Sequence, residues 1–484
     1  MEDDADILAF NGINGSTGGY LLPAMTADGL ATLASGQRPR PDQLEELEWR
    51  RDETEPHFRA MPDVDTRDLA QTGWGAVFAH GTDPRVREAL SGLLEHRREQ
   101  ATRHGERLFR EFTGPDAYRP GESKNDFLAR HGAAPGPVDP RDVPYYLLLV
   151  GDPGSIPYTV QQELDVAYAV GRIHFDKIED YERYAQSVVA IERSEPIRPT
   201  AVFFGTTNPE DRATEQSTRH LIEPLANDTA RSGAGWDVQL VTGGDATRER
   251  LRALLGGAET PALLFTASHG VGFDRGDQRQ VPHQGALLCQ DWPGPTEWGS
   301  RPIPEEFYVA GDHIEDSARL GGLITLHFAC YGAGTPQWDD FAHRKIDKFE
   351  RGEIALAPFV AGLPKQLLAH RNGGALAVVG HVERAWGCAF LWEGRPQHAA
   401  FRATLRQLMA GYPIGAAVEF LNERHAELAV MVSRILYDAQ YGTPANALRL
   451  SKLWTASNDA RGWAVVGDPA VRLTTTLLGP GRPD

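Results

Sequence analysis

Residues 323–334 read LITLHFACYGAG. From Leu323 to Ala329 almost every position is apolar or β-branched, the composition of a strand buried on both faces of a parallel sheet. The run ends on Cys330, with glycines at 332 and 334. A free cysteine in such a place is ordinarily a small hydrophobe packed into the core. A second stretch has the same shape: PALLFTASHG, 261–270, is an apolar run that ends on His269 and then Gly270. Two parallel strands finishing in this way would put His269 and Cys330 at one edge of one sheet, where neighbouring strands lie about 4.8 Å apart.

That proximity is what thiol chemistry requires. A cysteine with a pKa of about 8.5 is only a few per cent thiolate at neutral pH, and an adjacent imidazole can take its proton. Gly270 would leave room for a scissile carbonyl, and its N–H together with that of Cys330 could cradle an oxyanion. The alternative is a core cysteine beside a satisfied histidine at a strand end.

Working outward, strands and helices alternate. WGAVFAH (74–80), YYLLLVGDP (145–153), TAVFFGTTN (200–208), WDVQLVTG (236–243), GGALAVVGH (373–381) and WAVVGDPAVRL (463–473) read as strands. KIEDYERYAQSVVAIERSEP, ATRERLRALLGG and the stretch from 397 to about 435 have helical spacing. So does PRVREALSGLLEHRREQATRHGERLFREF, 84–112, whose alternating charge reads as a solvated face. The alternation argues for right-handed βαβ units, an α/β fold and a mostly parallel sheet, with chemistry at the carboxyl ends of its strands. The expected organisation is an N-terminal α/β subdomain, 1–198, a second α/β domain, 199–476, and a tail, 477–484. A long segment rich in Pro, Gly, Trp and Asp, 271–318, interrupts the pattern.

Composition narrows the function classes. Asp and Glu number 67 against 49 Lys and Arg, a formal net charge of -18. This disfavours nucleic acid and anionic membranes as partners and favours basic peptides. MEDDADILAF carries acidic residues where an export signal needs basic ones, and no apolar run is long enough to span a bilayer, so a soluble cytoplasmic protein is expected. Three cysteines, Cys289, Cys330 and Cys388, fit a reducing compartment. The glycines make neither GxGxxG nor GxxxxGK[ST], so nucleotide binding has no motif.

His269 precedes Cys330 by 61 residues, and Phe328 stands where a nucleophile elbow needs glycine. The histidine-first order is that of caspases. On these residues, and on YYLLLVGDPGSIP, DVAY, FACYGAG, GGALAVVGHVERAW and VVGDPAVRL, the chain from about 145 to 474 resembles the caspase-like clan of cysteine peptidases, and within it the gingipain family. The resemblance implies a caspase-like (caspase-hemoglobinase) three-layer sandwich whose N-terminal subdomain contributes to the S1 pocket. It implies His269 as general base and Cys330 as nucleophile, Asp165 at the base of an S1 pocket for P1 Arg or Lys, and Trp386 as a wall of that pocket. A carboxylate beneath an indole suits a guanidinium. An acid orienting His269 is expected by analogy, with Asp152 as the candidate.

The implied function is an intracellular endopeptidase cleaving after basic residues, restrained until a partner protease or self-cleavage activates it, in a stress or defence pathway. Arg275, Arg279, Arg301, Arg344, Lys345 and Arg351 are candidate processing positions. Two other readings stay open: an inactive caspase-like scaffold that binds proteins, and a hydrolase or amidotransferase pairing Cys330 with a downstream histidine such as His381 or His425. His343, His370, His381 and His398 lack HExxH spacing, so no metal site is expected. No cofactor is expected, apart from calcium, which the resemblance allows. Cys289 and Cys388 are assigned to packing.

Overall fold

A computed structural model describes residues 7–8, 12–20, 25–26, 64–104, 108–233, 235–343, 351–440 and 446–477. Ten strands form one sheet. Along the chain they are β1 (Trp74–Phe78), β2 (Phe109–Phe112), β3 (Tyr146–Val150), β4 (Ala169–Ile173), β5 (Thr200–Gly205), β6 (Asp237–Thr242), β7 (Leu263–Ala267), β8 (Ile324–Phe328), β9 (Ala377–His381) and β10 (Trp463–Gly467). In space the order is β2-β1-β3-β4-β10-β9-β8-β7-β5-β6. Every position of β1, β3, β4, β7, β8, β9 and β10 is buried, as expected of strands covered on both faces. Exposure is confined to the edges, where β6 shows Gln239 and Leu240 to solvent.

Neighbouring strands run parallel except at one seam. β9 and β10 are antiparallel, with Ala377 opposite Gly467 and His381 opposite Trp463. β10 is in turn parallel to β4, through Val466 and Arg172. The seam reverses the polarity of the sheet at its middle. The carboxyl ends of β5 to β9 therefore share one edge, and those of β1 to β4 and β10 share the other. The sheet also runs without a break across residue 198, joining the expected subdomains through the last strand of the chain.

A buried polar network ties the end of β10 to the first half of the sheet. Asp468, immediately after β10, accepts the Trp74 indole N–H at 2.9 Å and Arg97 Nε at 2.7 Å. The rest of the Arg97 guanidinium reaches Glu192 at 2.6 and 2.7 Å. Arg97 and Asp468 are almost wholly buried. Burial alone would raise the Glu192 carboxyl, but Arg97 and His96 beside it hold it well below the usual carboxylate range.

One expectation needs correction. The charged stretch 84–112 is not one helix: helices Pro84–Ala89 and Ser91–Ala101 are followed by β2. FREF pairs in register with β1 and stacks Phe109 on Trp74 at 5.7 Å, and this tertiary contact outweighs local helical spacing. The interruption 271–318 carries secondary structure of its own. Strands Gly270–Gly272, Ala286–Leu288 and Tyr308–Val309 make a small sheet with Gly12–Asn14 from the N-terminal region, around a core that includes Ile13, Val271, Phe273 and Trp292. Among the described residues no helix is long and apolar enough to cross a membrane.

Asp468→Ala leaves the buried Arg97 Nε–H and Trp74 indole N–H without acceptors while Glu192 still pairs the guanidinium, and is expected to cost about 1–3 kcal/mol, read as a shift of the urea midpoint. Because Glu192 has a lower pKa folded than unfolded, its contribution is full above its unfolded value of about 4.3 and disappears as pH falls. Glu192→Gln should therefore flatten the acid limb of a stability–pH curve.

Candidate functional site

β7 and β8 run in exact parallel register over five residues, ending with Ala267 beside Phe328. The Ser268 N–H donates to the Phe328 carbonyl at 3.3 Å. His269 and Cys330 thus leave adjacent strand ends at the same edge, each two residues beyond a matched pair. The chains then pass so closely that a Cβ on Gly270 would sit 1.8 Å from the Cys330 carbonyl oxygen. Glycine is required there by contact with the backbone that carries the thiol. After Cys330 the chain turns sharply: Gly332 N–H bonds the Ala329 carbonyl, and Tyr331 takes φ 60°, a conformation costly for a bulky side chain.

His269 is fully buried, and its Nε2 lies 2.6 Å from Asp211 Oδ2. Asp211 stands beyond β5, the strand beside β7, and caps helix Arg212–Ser217 by accepting the Ala213 N–H. It also accepts the hydroxyls of Thr214 at 2.9 Å and Tyr20 at 2.5 Å. Burial works to raise the Asp211 carboxyl, but His269 and these donors bring it below its ordinary value. An ionised Asp211 accepts the Nε2–H of His269, so Nδ1 is the nitrogen left to exchange a proton with another group. Nδ1 has no hydrogen-bond partner among the described residues. Sequence reasoning missed Asp211, whose only local signal is a helix cap after a buried strand.

Asp152 is not the acid beside His269. Its carboxylate accepts the N–H groups of Gly154 and Ser155 and the Ser155 hydroxyl, a turn-forming role. It follows β3, whose carboxyl end is on the opposite edge of the sheet from Cys330. Asp165 lies before β4, three strands from β8, and receives the Val170 N–H at 3.3 Å. Burial pushes its carboxyl well above the ordinary range.

Trp386 does come near the thiol. Cys330 Sγ accepts the N–H of Ala385 at 3.3 Å, and the next N–H, from Trp386, goes to Asp459 at 2.8 Å. The carboxylate close to this indole is Asp339, paired with Arg384 at 2.8 and 2.9 Å, and Phe341 bridges the two with its ring 5.0 Å from Trp386. Glu383 reaches the same guanidinium at 2.8 Å. The thiol is fully enclosed, and burial pushes it up to about 12.

The N-terminal region covers the His269 side of the site. Gly12–Asn14 pairs in parallel with Gly270–Gly272, directly beyond His269. Asn14 and Ser16 bond Asp274 and Asp277. Tyr20 lays its ring edge-on to His269, centroids 5.6 Å apart, while its hydroxyl holds Asp211.

The other named residues have clear placements. His381 packs on Trp463 at 4.1 Å and lies 3.4 Å from Asp459, whereas His425 Nδ1 is 3.1 Å from the Ser457 carbonyl. Cys289 and Cys388 are buried. Arg275 pairs with Glu353, Arg279 with Asp277, and Arg301 covers the Trp298 ring. Arg344 and Lys345 lie outside the described residues, and Arg351 begins the short strand Arg351–Glu353.

No protein-family model and no curated protein matches the chain. Among solved structures, one described as a structure of a protease aligns with TM-score 0.46 and 12% identity, covering 84% of this chain and 80% of that one. The complex of Porphyromonas gingivalis RgpB pro- and mature domains aligns with TM-score 0.42 and 12% identity, covering 83% and 80%. At such distances the functional reading rests on the site itself.

Asp211→Ala should cost about 1–3 kcal/mol by leaving His269 Nε2 without an acceptor. Imidazole 15N resonances should pass from a single Nε2–H tautomer to a mixture.

Proposed function

We propose that the protein is a cysteine endopeptidase of caspase-like mechanism, held latent by its own N-terminal segment. The observation that carries this reading is His269, held through Nε2 by buried Asp211, with an unpartnered Nδ1 at the strand end beside that of Cys330. Nδ1 would take the Sγ proton, and the thiolate would attack the scissile carbonyl. The N–H groups of Gly270 and Cys330 would hold the oxyanion as the tetrahedral adduct forms. Collapse expels the amine, protonated from Nδ1–H, and leaves a thioester. Water, deprotonated by the same nitrogen, then releases the acid and restores the thiol.

Two rearrangements are part of the reading. The thiol must turn from the Ala385 N–H toward Nδ1, giving up one hydrogen bond, net about 1 kcal/mol. The strand Gly12–Asn14 and Tyr20 must also leave, uncovering the edge of Gly270–Gly272 and the face of His269. An arginine-directed peptidase with its site closed in this way is suited to activation by a partner protease or by self-cleavage, in a stress or defence pathway. P1 Arg or Lys belongs to the same proposal. Its support moves from Asp165 to Asp339, Glu383 and Asp459, the carboxylates beside Trp386 and the thiol.

A second reading is favoured by one observation: the present contacts of the thiol lie on the β9 side, where His381 stands 3.4 Å from Asp459. A hydrolase using that couple would be indifferent to His269.

Fluorogenic peptides differing only at P1 separate these readings. A chain shortened past Tyr20 should cleave after Arg at least tenfold faster than the full chain. In that background Cys330→Ala and His269→Ala should each lose about 10⁴-fold or more, and Asp211→Asn about 10²–10⁴-fold. Activity that survives His269→Ala but not His381→Ala would establish the second reading. Silence of the shortened chain on every peptide would instead leave a binding scaffold.

A further inference from the structure

Away from Cys330, the insertion between β7 and β8 gathers two histidines and two carboxylates that the mechanism above does not use. His283 closes helix Gln280–His283, Glu305 opens the short turn Glu305–Phe307, and Asp312 and His313 lie in the turn Gly311–His313. His283 Nε2 is 2.9 Å from Asp312 Oδ2, and His313 Nε2 is 3.1 Å from Glu305 Oε2 and 3.8 Å from Asp312 Oδ1. One donor atom each from His283, Asp312 and His313 all lie within 4.8 Å of one another.

We infer that His283, Asp312 and His313, with Glu305 as fourth donor, form a binding site for a single divalent transition-metal ion with the preferences of zinc. Nitrogen and oxygen ligands at about 2.0–2.2 Å around a tetrahedral ion stand about 3.3–3.6 Å apart. The observed contacts, 2.9 to 3.8 Å, fall on both sides of these values within a cluster whose donors lie up to 4.8 Å apart, so closure needs side-chain movements. Asp312 and Glu305 can supply them, because their side chains are half exposed. His283 is the fixed ligand, 5% exposed.

The surroundings of His283 support the assignment. Its Nδ1 lies 2.8 Å from the Tyr308 hydroxyl. A metal on Nε2 leaves the imidazole proton on Nδ1, where Tyr308 accepts it and orients the ring, an arrangement typical of bound metals. Two neutral imidazoles and two carboxylates also balance the charge of one divalent ion. Imidazole donors select against calcium and magnesium, which take oxygen ligands. One contact must yield: His313 Nδ1 receives the Ala310 N–H at 3.2 Å, and a metal on Nε2 requires that bond to open.

The site stands apart from the peptidase reading, yet its position gives it leverage on the cysteine turn. Gln284, next to His283, bonds Thr335 at 3.0 Å, and a Cβ on Gly285 would meet the Tyr331 carbonyl at 2.1 Å. An ion joining His283 to the 311–313 turn braces the segment on which residues 331–335 rest.

The test is titration of the metal-stripped full-length chain with Co²⁺ and then Zn²⁺. One equivalent should bind with micromolar or tighter affinity, give the intense visible absorption of tetrahedral Co²⁺, lose it to Zn²⁺, and raise the melting temperature. Tyr308→Phe should weaken binding about 10–100-fold. His283→Ala and His313→Ala should abolish the visible bands. Asp312→Asn, a change at an exposed position that spares the fold, should weaken binding at least tenfold. Absence of saturable binding in the micromolar range, or binding unchanged in Asp312→Asn and His313→Ala, would overturn the assignment and leave a hydrogen-bonded cluster.

Discussion

The antiparallel pairing of β9 with β10 is the constraint on which the rest of the molecule depends. Without it the chain would make two separate parallel sheets, β2-β1-β3-β4 and β9-β8-β7-β5-β6, each with an unpaired edge. β10 pairs with both, and Asp468 at its end fastens the join by taking the Trp74 indole and the Arg97 guanidinium from the first half. A buried ion network is a poor source of net stability but a strict judge of geometry. Here it accepts only the register that sets β4 beside β10.

Polarity reversal at this seam sorts the chemistry. His269, Cys330, His381 and the loop with Trp386 all follow strands of the second half, so they collect on one edge, while the turn around Asp152 is sent to the other. Within the crowded edge, close backbone approach does the positioning. Gly270 lies against the Cys330 carbonyl, Tyr331 is held in a left-handed conformation, and the Ala385 N–H meets the sulfur. Asp211 contributes electrostatics: it is kept ionised in a buried place and so dictates which nitrogen of His269 is left to exchange a proton.

Much of this architecture was legible because buried parallel strands have a plain signature. LLFTA and ITLHF are apolar throughout, and a reactive residue followed by glycine marks where each ends. What escaped reading has a different physical origin. FREF has too few residues to announce a strand and depends on Trp74 for its place. The direction of β10 leaves no trace in its composition, since burial on both faces looks alike either way. Asp211 reads as an ordinary helix cap, because a capping carboxylate spends one oxygen on the backbone and shows no sign of what the other holds. Asp152 and Asp165 misled for a related reason: an acid after a strand or a helix is often fully engaged with nearby N–H groups. The contact of Tyr20 with Asp211, across 191 residues, has no local pattern at all.

The location of β10 also bears on the order of events during synthesis. The strand that unites the sheet comes from residues 463–467, after the nine others of that sheet, so a ribosome delivers both halves before the piece that joins them. Until then β4 and β9 have open edges, and the loop after β9 that meets the sulfur of Cys330 has no β10 to rest on. A nascent chain, or one released early, thus lacks the framework that gathers the thiol and its neighbours. Synthesis past residue 467 becomes a condition for assembling the site, independent of whatever later uncovers it.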